Sequence, residues 1–295
     1  MSKIIVVGSN RFVGFHLCTS FLNDGIEVKG YMHEPHKSES FLQDEMRSFL
    51  GRNANFTSVQ IDEADQQLSI DSDTDVVYFT YFDAGDFHDS QFLRHKMKEA
   101  NEALIQTITK CRQTKTKLVF LSSLRVFGEE QKEITEETVP IPDHREGKLM
   151  LHFEKMIEKA KSSDLQCMTI RVPTIYGPWQ PLSMAYQHAL IHKEKKEIIE
   201  EDTRHVLYID DVVNALKSSQ QASIKYDVVH LVNKQDKDWG RGAQLLNIKE
   251  IQEKENEFKE SERAKEILNF YPKVSIREGM YQQMRHTRTI FSYRS

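Results

Sequence analysis

Short apolar, β-branched runs recur along the chain at Lys3–Val7, Glu27–Tyr31, Phe56–Val59, Asp75–Tyr81, Leu118–Ser122 and Met168–Val172. Each leads into a helical or loop segment, the rhythm of parallel strands with helices crossing between them. Between the first two runs, Val13, Leu17 and Phe21 stand at i, i+4 and i+8 on one helix face, and Asn23-Asp24-Gly25 ends that helix with a residue suited to a left-handed cap. Strand, tight turn, helix and strand make a βαβ unit. The same patterning predicts helices at Ser90–Arg112, Lys148–Lys161, Met184–Lys195 and Asp210–Ser219. Residues 249–266, KEIQEKENEFKESERAKE, mix both charge signs at helical spacing, which predicts a solvated helix. The fold class that follows is α/β, a doubly wound parallel sheet of about seven strands with helices on both faces.

Composition narrows the function classes. With 295 residues, 39% hydrophobic and 29% charged, the chain is long enough for a full α/β core. A net charge of -5 gives no general attraction to nucleic acid or to anionic lipid, so neither is an expected partner. No run approaches the ~18 apolar residues of a membrane span. The opening KIIVV is short of the roughly 7 to 15 residues of a signal-peptide core, so a cytoplasmic location is expected. Cys18, Cys111 and Cys167 are odd in number, far apart and flanked by apolar residues, which predicts buried reduced thiols. His188 and His192 share a helix face, but no third ligand stands nearby and no metal is expected.

After the first strand comes GSNRFVG, residues 8–14. Backbone amides at a helix N-terminus hold a diphosphate, and small residues let it approach. Gly8 and Gly14 meet that need, whereas Arg11 stands where a middle glycine belongs. A non-glycine forced into the left-handed region costs about 1 kcal/mol. A guanidinium reaching a phosphate gains about 1.5 to 3 kcal/mol. Gly8, Asn10, Arg11, Phe12, Val13 and Gly14 therefore remain the candidate cofactor loop. DVVYFT, LSSLRVFG, RVPTIYGPW, RHVLYIDDVVNAL and ERAKEILNFYPKVSIREGM follow in order. Together these pieces resemble the extended short-chain dehydrogenase/reductase family of nucleotide-sugar epimerases and dehydratases, nearest its UDP-glucuronate 4-epimerase branch.

The resemblance spans most of the chain. It implies a Rossmann-like dinucleotide-binding domain over residues 1–172, its sheet completed by 204–232, with 173–295 mostly a small C-terminal substrate lobe. It also implies NAD or NADP as cofactor, a nucleotide-linked sugar as ligand, and a homodimer through the helices Ser90–Arg112 and Lys148–Lys161. Members preferring NAD end the second strand with an acid that meets the adenosine ribose. Here that place falls at Met32, with His33, His36 and Lys37 beyond, so NADP is as open as NAD. Asp62 matches the acid that meets the adenine amino group.

Family chemistry uses a serine or threonine after strand five and a Tyr-x-x-x-Lys pair, whose lysine lowers the phenol pKa for proton transfer. Ser123 and Lys148 match. His144 stands in the tyrosine's place, and none of the ten tyrosines has a lysine four residues on. A histidine with a reference pKa of about 6.5 is neutral at pH 7 and can act as a base, but it reaches less far. Two readings stay open, while a third, RNA binding as in atypical relatives, is disfavoured by the charge balance. One is an enzyme of transient ring oxidation, with Ser123 orienting a hydroxyl, His144 relaying the proton and Lys148 fixing the ribose. The other is a noncatalytic dinucleotide-binding or scaffold member. Thr174 matches a sugar-contacting threonine and Arg204 an arginine that meets the nucleotide diphosphate. Pro181 falls where the branch reads the glucuronate carboxylate with an arginine, so glucuronate is not the expected sugar. Trp179 either lies over the ligand or fills the interface of the lobe, and Asp210-Asp211 opens a helix as capping acids.

Overall fold

The computed structural model describes residues 2–34, 39–61, 68–87, 90–192, 201–223, 225–232, 238–248, 254–255 and 257–291. Nine strands are described: β1 (Lys3–Val7), β2 (Glu27–Met32), β3 (Phe56–Gln60), β4 (Val76–Phe79), β5 (Lys117–Ser123), β6 (Cys167–Val172), β7 (Thr174–Tyr176), β8 (Val206–Tyr208) and β9 (Tyr226–His230). Seven form one sheet in the order β3-β2-β1-β4-β5-β6-β9, every adjacent pair parallel. The order reverses between β1 and β4, and the crevice at the carboxyl ends of these two strands is where such sheets place a ligand. β7 and β8 pair in a separate two-stranded sheet. Of the stretch 204–232, therefore, β9 joins the main sheet and β8 does not.

Helices α1 (Phe12–Asn23), α2 (Ser40–Leu50) and α6 (Ile209–Ser218) cover one face, with Leu17, Phe21, Met46 and Val212 in its core. On the other face, α3 (Ser90–Thr114) and α4 (Arg145–Lys159) bury Leu104, Ile108, Phe153 and Ile157. The three cysteines are buried and unpaired, Cys18 in the first core, Cys111 and Cys167 in the second. Burial pushes all three thiols up, Cys111 to about 12. Within the stretch 173–295 expected as a lobe, α5 (Ala185–Ile191) and α7 (Asp238–Leu245) pack on α9 (Ile276–Phe291), whereas α8 (Glu262–Leu268) packs on α6 and β9.

The solvated helix expected over 249–266 is helical only from Glu262 among the described residues. Upstream, Phe258 turns inward and bridges to Ile134, because an apolar ring amid charges is worth more buried than on a solvated helix. No helix among the described residues is long and apolar enough to cross a membrane.

One buried network sets the rotation of α4. Arg171 of β6 makes a two-pronged ion pair with Glu154, Nε to Oε1 at 2.9 Å and Nη2 to Oε2 at 2.7 Å, and Ser122 Oγ donates to the same Oε1 at 2.5 Å. One turn from the helix start, a Cβ on Gly147 would stand 1.8 Å from the Arg125 carbonyl oxygen, so backbone meets backbone there. Arg171→Met alone strands the buried Glu154 charge. It should cost about 3 to 5 kcal/mol in urea unfolding, and the double change with Glu154→Leu should recover most of that.

Candidate functional site

At the carboxyl edge of the sheet, a cavity of about 110 Å³ opens between the start of α1, the turn after β4, the ends of β5 and β6, and α4. Phe12 and Val13 line it from α1, Asp83 from the turn after β4, Ser122 and Ser123 from β5, and Arg125 from the turn that follows. Thr174, Pro181, Met184, Glu201 and Asp202 close the lobe side. Ser123 Oγ accepts from the Arg125 amide at 3.1 Å, capping the 3-10 turn Leu124–Val126. Thr174 Oγ1 donates to the Asp202 carbonyl at 2.7 Å, which leaves its lone pairs toward the cavity as acceptors.

Helix α4 turns Glu146 and Met150 to the cavity, not His144 and Lys148. Two residues on an α-helix are about 200° apart, so a two-residue offset selects the opposite face. Glu154 continues the inward stripe Glu146, Met150, and its ion pair with Arg171 fixes which face that is. The expected assignment of His144 and Lys148 to the proton-transfer pair is corrected accordingly. His144 is the N-cap residue of α4 and its Nε2 lies 2.6 Å from Glu129 Oε1 and 3.4 Å from Asp143 Oδ1, away from the cavity. Lys148 is exposed. The carboxylate that does reach the cavity, Glu146, pairs with Arg125 at 3.4 Å.

Arg204 is also placed otherwise than expected. It is 4% exposed and forked onto Asp202, Nε to Oδ1 at 2.9 Å and Nη2 to Oδ2 at 2.7 Å, with Nη2 also donating to the Phe127 carbonyl at 3.1 Å. Its guanidinium lies 4.8 Å over the Phe258 ring. Burial opposes the charge on Asp202, but Arg204 outweighs it and holds that carboxyl down to about 2. With its donors engaged internally, Arg204 ties the lobe to the β5 loop and is not presented to a diphosphate.

The loop Gly8, Asn10, Arg11, Phe12, Val13, Gly14 has the backbone its motif predicts. Gly8 has φ +93°, and a Cβ there would meet the Thr80 carbonyl oxygen at 2.4 Å. A Cβ on Gly14 would meet the Gly8 carbonyl oxygen at 2.1 Å. Arg11 itself has φ −96° and ψ 158°, an extended N-cap geometry that carries none of the anticipated left-handed strain. Its side chain is 1% exposed and folds back inside the protein. Nη1 lies 3.3 Å from Asp86 Oδ1 and 3.7 Å from Asp83 Oδ2. Nη2 lies 2.8 Å from His33 Nδ1 and Nε lies 3.1 Å from His33 Nε2, which is also 2.9 Å from the Tyr81 carbonyl oxygen. A guanidinium can only donate, so the imidazole nitrogen that meets it accepts and His33 is neutral there. Burial first, then Arg11, holds its pKa well below 6.5, so His33 adds no positive charge for a 2′-phosphate.

The first amide of α1, Phe12 N–H, donates to Asp83 Oδ1 at 3.0 Å. Asn10 Nδ2 donates to the His33 carbonyl at 2.9 Å and to Gln43 Oε1 at 2.8 Å. Glu39 covers this region by accepting from the Leu182 and Ser183 amides at 3.1 and 3.4 Å. A dinucleotide's diphosphate needs free amides at this helix end and meets a carboxylate instead, so the residues as placed do not fit it. Met32 is 2% exposed in the core under α1, not at a groove. Asp62, His36 and Lys37 lie outside the described residues.

Trp179 packs on Phe15 and His286, at centroid distances of 5.2 and 4.5 Å, and so joins α1 to α9 rather than lying over the cavity. Asp211 accepts from the Lys273 and Val274 amides at 3.0 and 3.2 Å, holding the lobe to α6. Among the described residues no three His, Cys, Asp or Glu side chains cluster as metal ligands. The sequence motifs did not reveal Asp83, Asp86, Arg125 or Glu146. For Glu146 the signal was present, since the apolar stripe Met150, Phe153, Ile157 already marks the inward face of its helix.

Comparison with known proteins places this geometry. A curated Bacillus subtilis relative, described as the uncharacterized UDP-glucose epimerase YtcB, is 24% identical, with 98% of this chain and 99% of that protein covered. Among solved structures, UDP-glucuronic acid 4-epimerase from Bacillus cereus in complex with UDP-glucuronic acid and NAD superposes with a TM-score of 0.81 at 21% identity, covering 98% of this chain and 99% of that one. The dTDP-glucose 4,6-dehydratase of Bacillus anthracis in complex with NAD gives 0.76 at 14% identity, covering 98% and 97%. The model of the NAD dependent epimerase/dehydratase family matches residues 4–230, most of the chain and all seven strands of the main sheet but for Lys3, and this protein belongs to that family.

Proposed function

We propose that the cavity receives the sugar of a nucleotide-linked sugar and that the chain acts on this substrate class as an epimerase or dehydratase of its family. The observation that carries the reading is the convergence of Ser123, Thr174 and Glu146 on one cavity at the reversal of strand order. The relatives named above support it, since their descriptions specify UDP- and dTDP-sugars. Ser123 and Thr174 offer hydroxyls to orient a ring hydroxyl. Glu146, beside Arg125, is the carboxylate placed to exchange a proton with it. Phe12, Val13, Phe82 and Phe87 screen that exchange from water. NAD is the dinucleotide of the neighbours and NADP the alternative. Neither fits the α1 end as this chain fills it, and no hydride step is assigned.

A second reading, binding without turnover, is favoured by the face of α4. The two positions one turn apart that reach the cavity hold Glu146 and Met150, and a thioether carries no charge with which to lower a neighbouring pKa. Both readings include a cytoplasmic location, in keeping with three unpaired thiols.

Calorimetry with UDP-glucose, dTDP-glucose and UDP-glucuronate, followed by proton NMR of each mixture with and without NAD or NADP, separates the readings. A new epimer or a dehydrated sugar, with turnover lowered about a hundredfold by Glu146→Gln, supports the enzyme. Binding without product supports the second reading, and no binding of any of the three overturns both. UDP-glucuronate should bind more weakly than UDP-glucose, because Pro181 lines the cavity without a donor.

The proposal extends to a homodimer through α3 and α4. His152 and Asn101 hold the two helices side by side at 3.0 Å, and Ile105 stands 54% exposed on α3. Light scattering at micromolar concentration should give a dimer, and Ile105→Glu a monomer. A monomeric wild-type protein overturns the dimer.

A further inference from the structure

The end of α1 that family members offer to a phosphate is met here by the chain itself. Phe12 N–H donates to Asp83 Oδ1 at 3.0 Å, and the Asp83 amide donates to Asp86 Oδ2 at 3.0 Å, so the turn after β4 is folded to present both carboxylates to the loop after β1. Arg11 lies against the pair, 3.3 Å from Asp86 and 3.7 Å from Asp83, and is locked from behind by His33. Ser9, Asn10 and Arg11 are 0, 0 and 1% exposed, so the turn that leads into α1 is covered by the chain itself. Gly85, in the same turn, packs so closely on Ser183 that a Cβ would stand 2.3 Å from its hydroxyl oxygen.

Two buried carboxyl groups face one guanidinium, so the two acids repel one another across it. Burial, with Asp86 adding its repulsion, outweighs Arg11 and pushes the Asp83 carboxyl up to about 7. A phosphate at this place would add a further negative charge beside both acids and would have to displace one of them from the helix.

We infer that Asp83 permanently replaces the dinucleotide phosphate at α1, with Arg11 as its latch, and that this chain does not hold NAD or NADP there. The inference rests on the family membership and not on which sugar fills the cavity. It leaves the cavity itself open to a ligand, because Ser123, Thr174 and Glu146 lie outside the latch.

The test uses the purified full chain. An acid extract analysed by mass spectrometry should contain no stoichiometric NAD(H) or NADP(H). Fluorescence titration with NADH or NADPH should not saturate by about 1 mM, the edge of weak affinity. Asp83→Ala frees Phe12 N–H and leaves Arg11 with one acid, and should tighten NADH binding at least about tenfold, the scale of one regained charge-assisted hydrogen bond. Should that variant fail to fold, the wild-type extract and titration decide alone. Dinucleotide in the extract, or micromolar binding of NADH or NADPH by the wild type, overturns the inference while leaving the sugar proposal to its own calorimetry. Binding of UDP-glucose without any dinucleotide supports the latch together with the reading of binding without turnover, and an epimerised or dehydrated product formed with added NAD or NADP overturns the latch. Absence of both ligands overturns the sugar proposal and upholds the latch.

Discussion

A helix that begins where strand order reverses presents partial positive charge to whatever occupies the crevice, and burying that end requires an anion. In this protein the requirement is met from within the chain, by the Asp83 carboxylate on the Phe12 amide. Much else follows from that contact. The turn after β4 must fold as a 3-10 segment, Ala84–Phe87, to deliver Asp83 and Asp86 together. Arg11 must then turn inward to balance them, and His33 must be neutral to accept from it. A glycine at position 11 would leave both carboxylates buried without their cation.

The opposite wall of the cavity obeys a different constraint. Helix α4 has no freedom to roll, since its inner face is pinned at one end by Glu154 on Arg171 and at the other by backbone contact at Gly147. His230 completes the set 3.1 Å from Arg171, its imidazole held down at about 3 by burial and by that guanidinium. The chemistry available at the cavity is therefore decided by which residues happen to stand on the pinned face. In this sequence they are a carboxylate and a thioether.

The doubly wound sheet was legible from strand rhythm alone, because Lys3–Val7 and its successors are short, β-branched and separated by helical stripes such as Val13, Leu17 and Phe21. The glycines of the first loop were legible for the same reason, as Gly8 and Gly14 stand where a side chain would strike backbone. What could not be read was long-range pairing. Arg11 looks like a substituted phosphate binder until Asp83 and Asp86, some seventy residues away in sequence, are brought beside it. The misplaced pair His144 and Lys148 is a different kind of error, since motif spacing is identical on every face of a helix and only the buried stripe tells them apart. Phe258 was hidden in a charged run whose composition outvoted one ring.

The distribution of the three thiols gives the molecule a built-in record of its own opening. Cys18 lies on the buried face of α1 on one side of the sheet, while Cys111 and Cys167 sit on the other, and burial keeps all of them in the unreactive protonated form. Alkylation of Cys18 marks departure of the first layer of helices, and alkylation of the other two marks departure of the second. The two sides of this sheet can thus be followed separately as they come apart, with no label added and no residue changed.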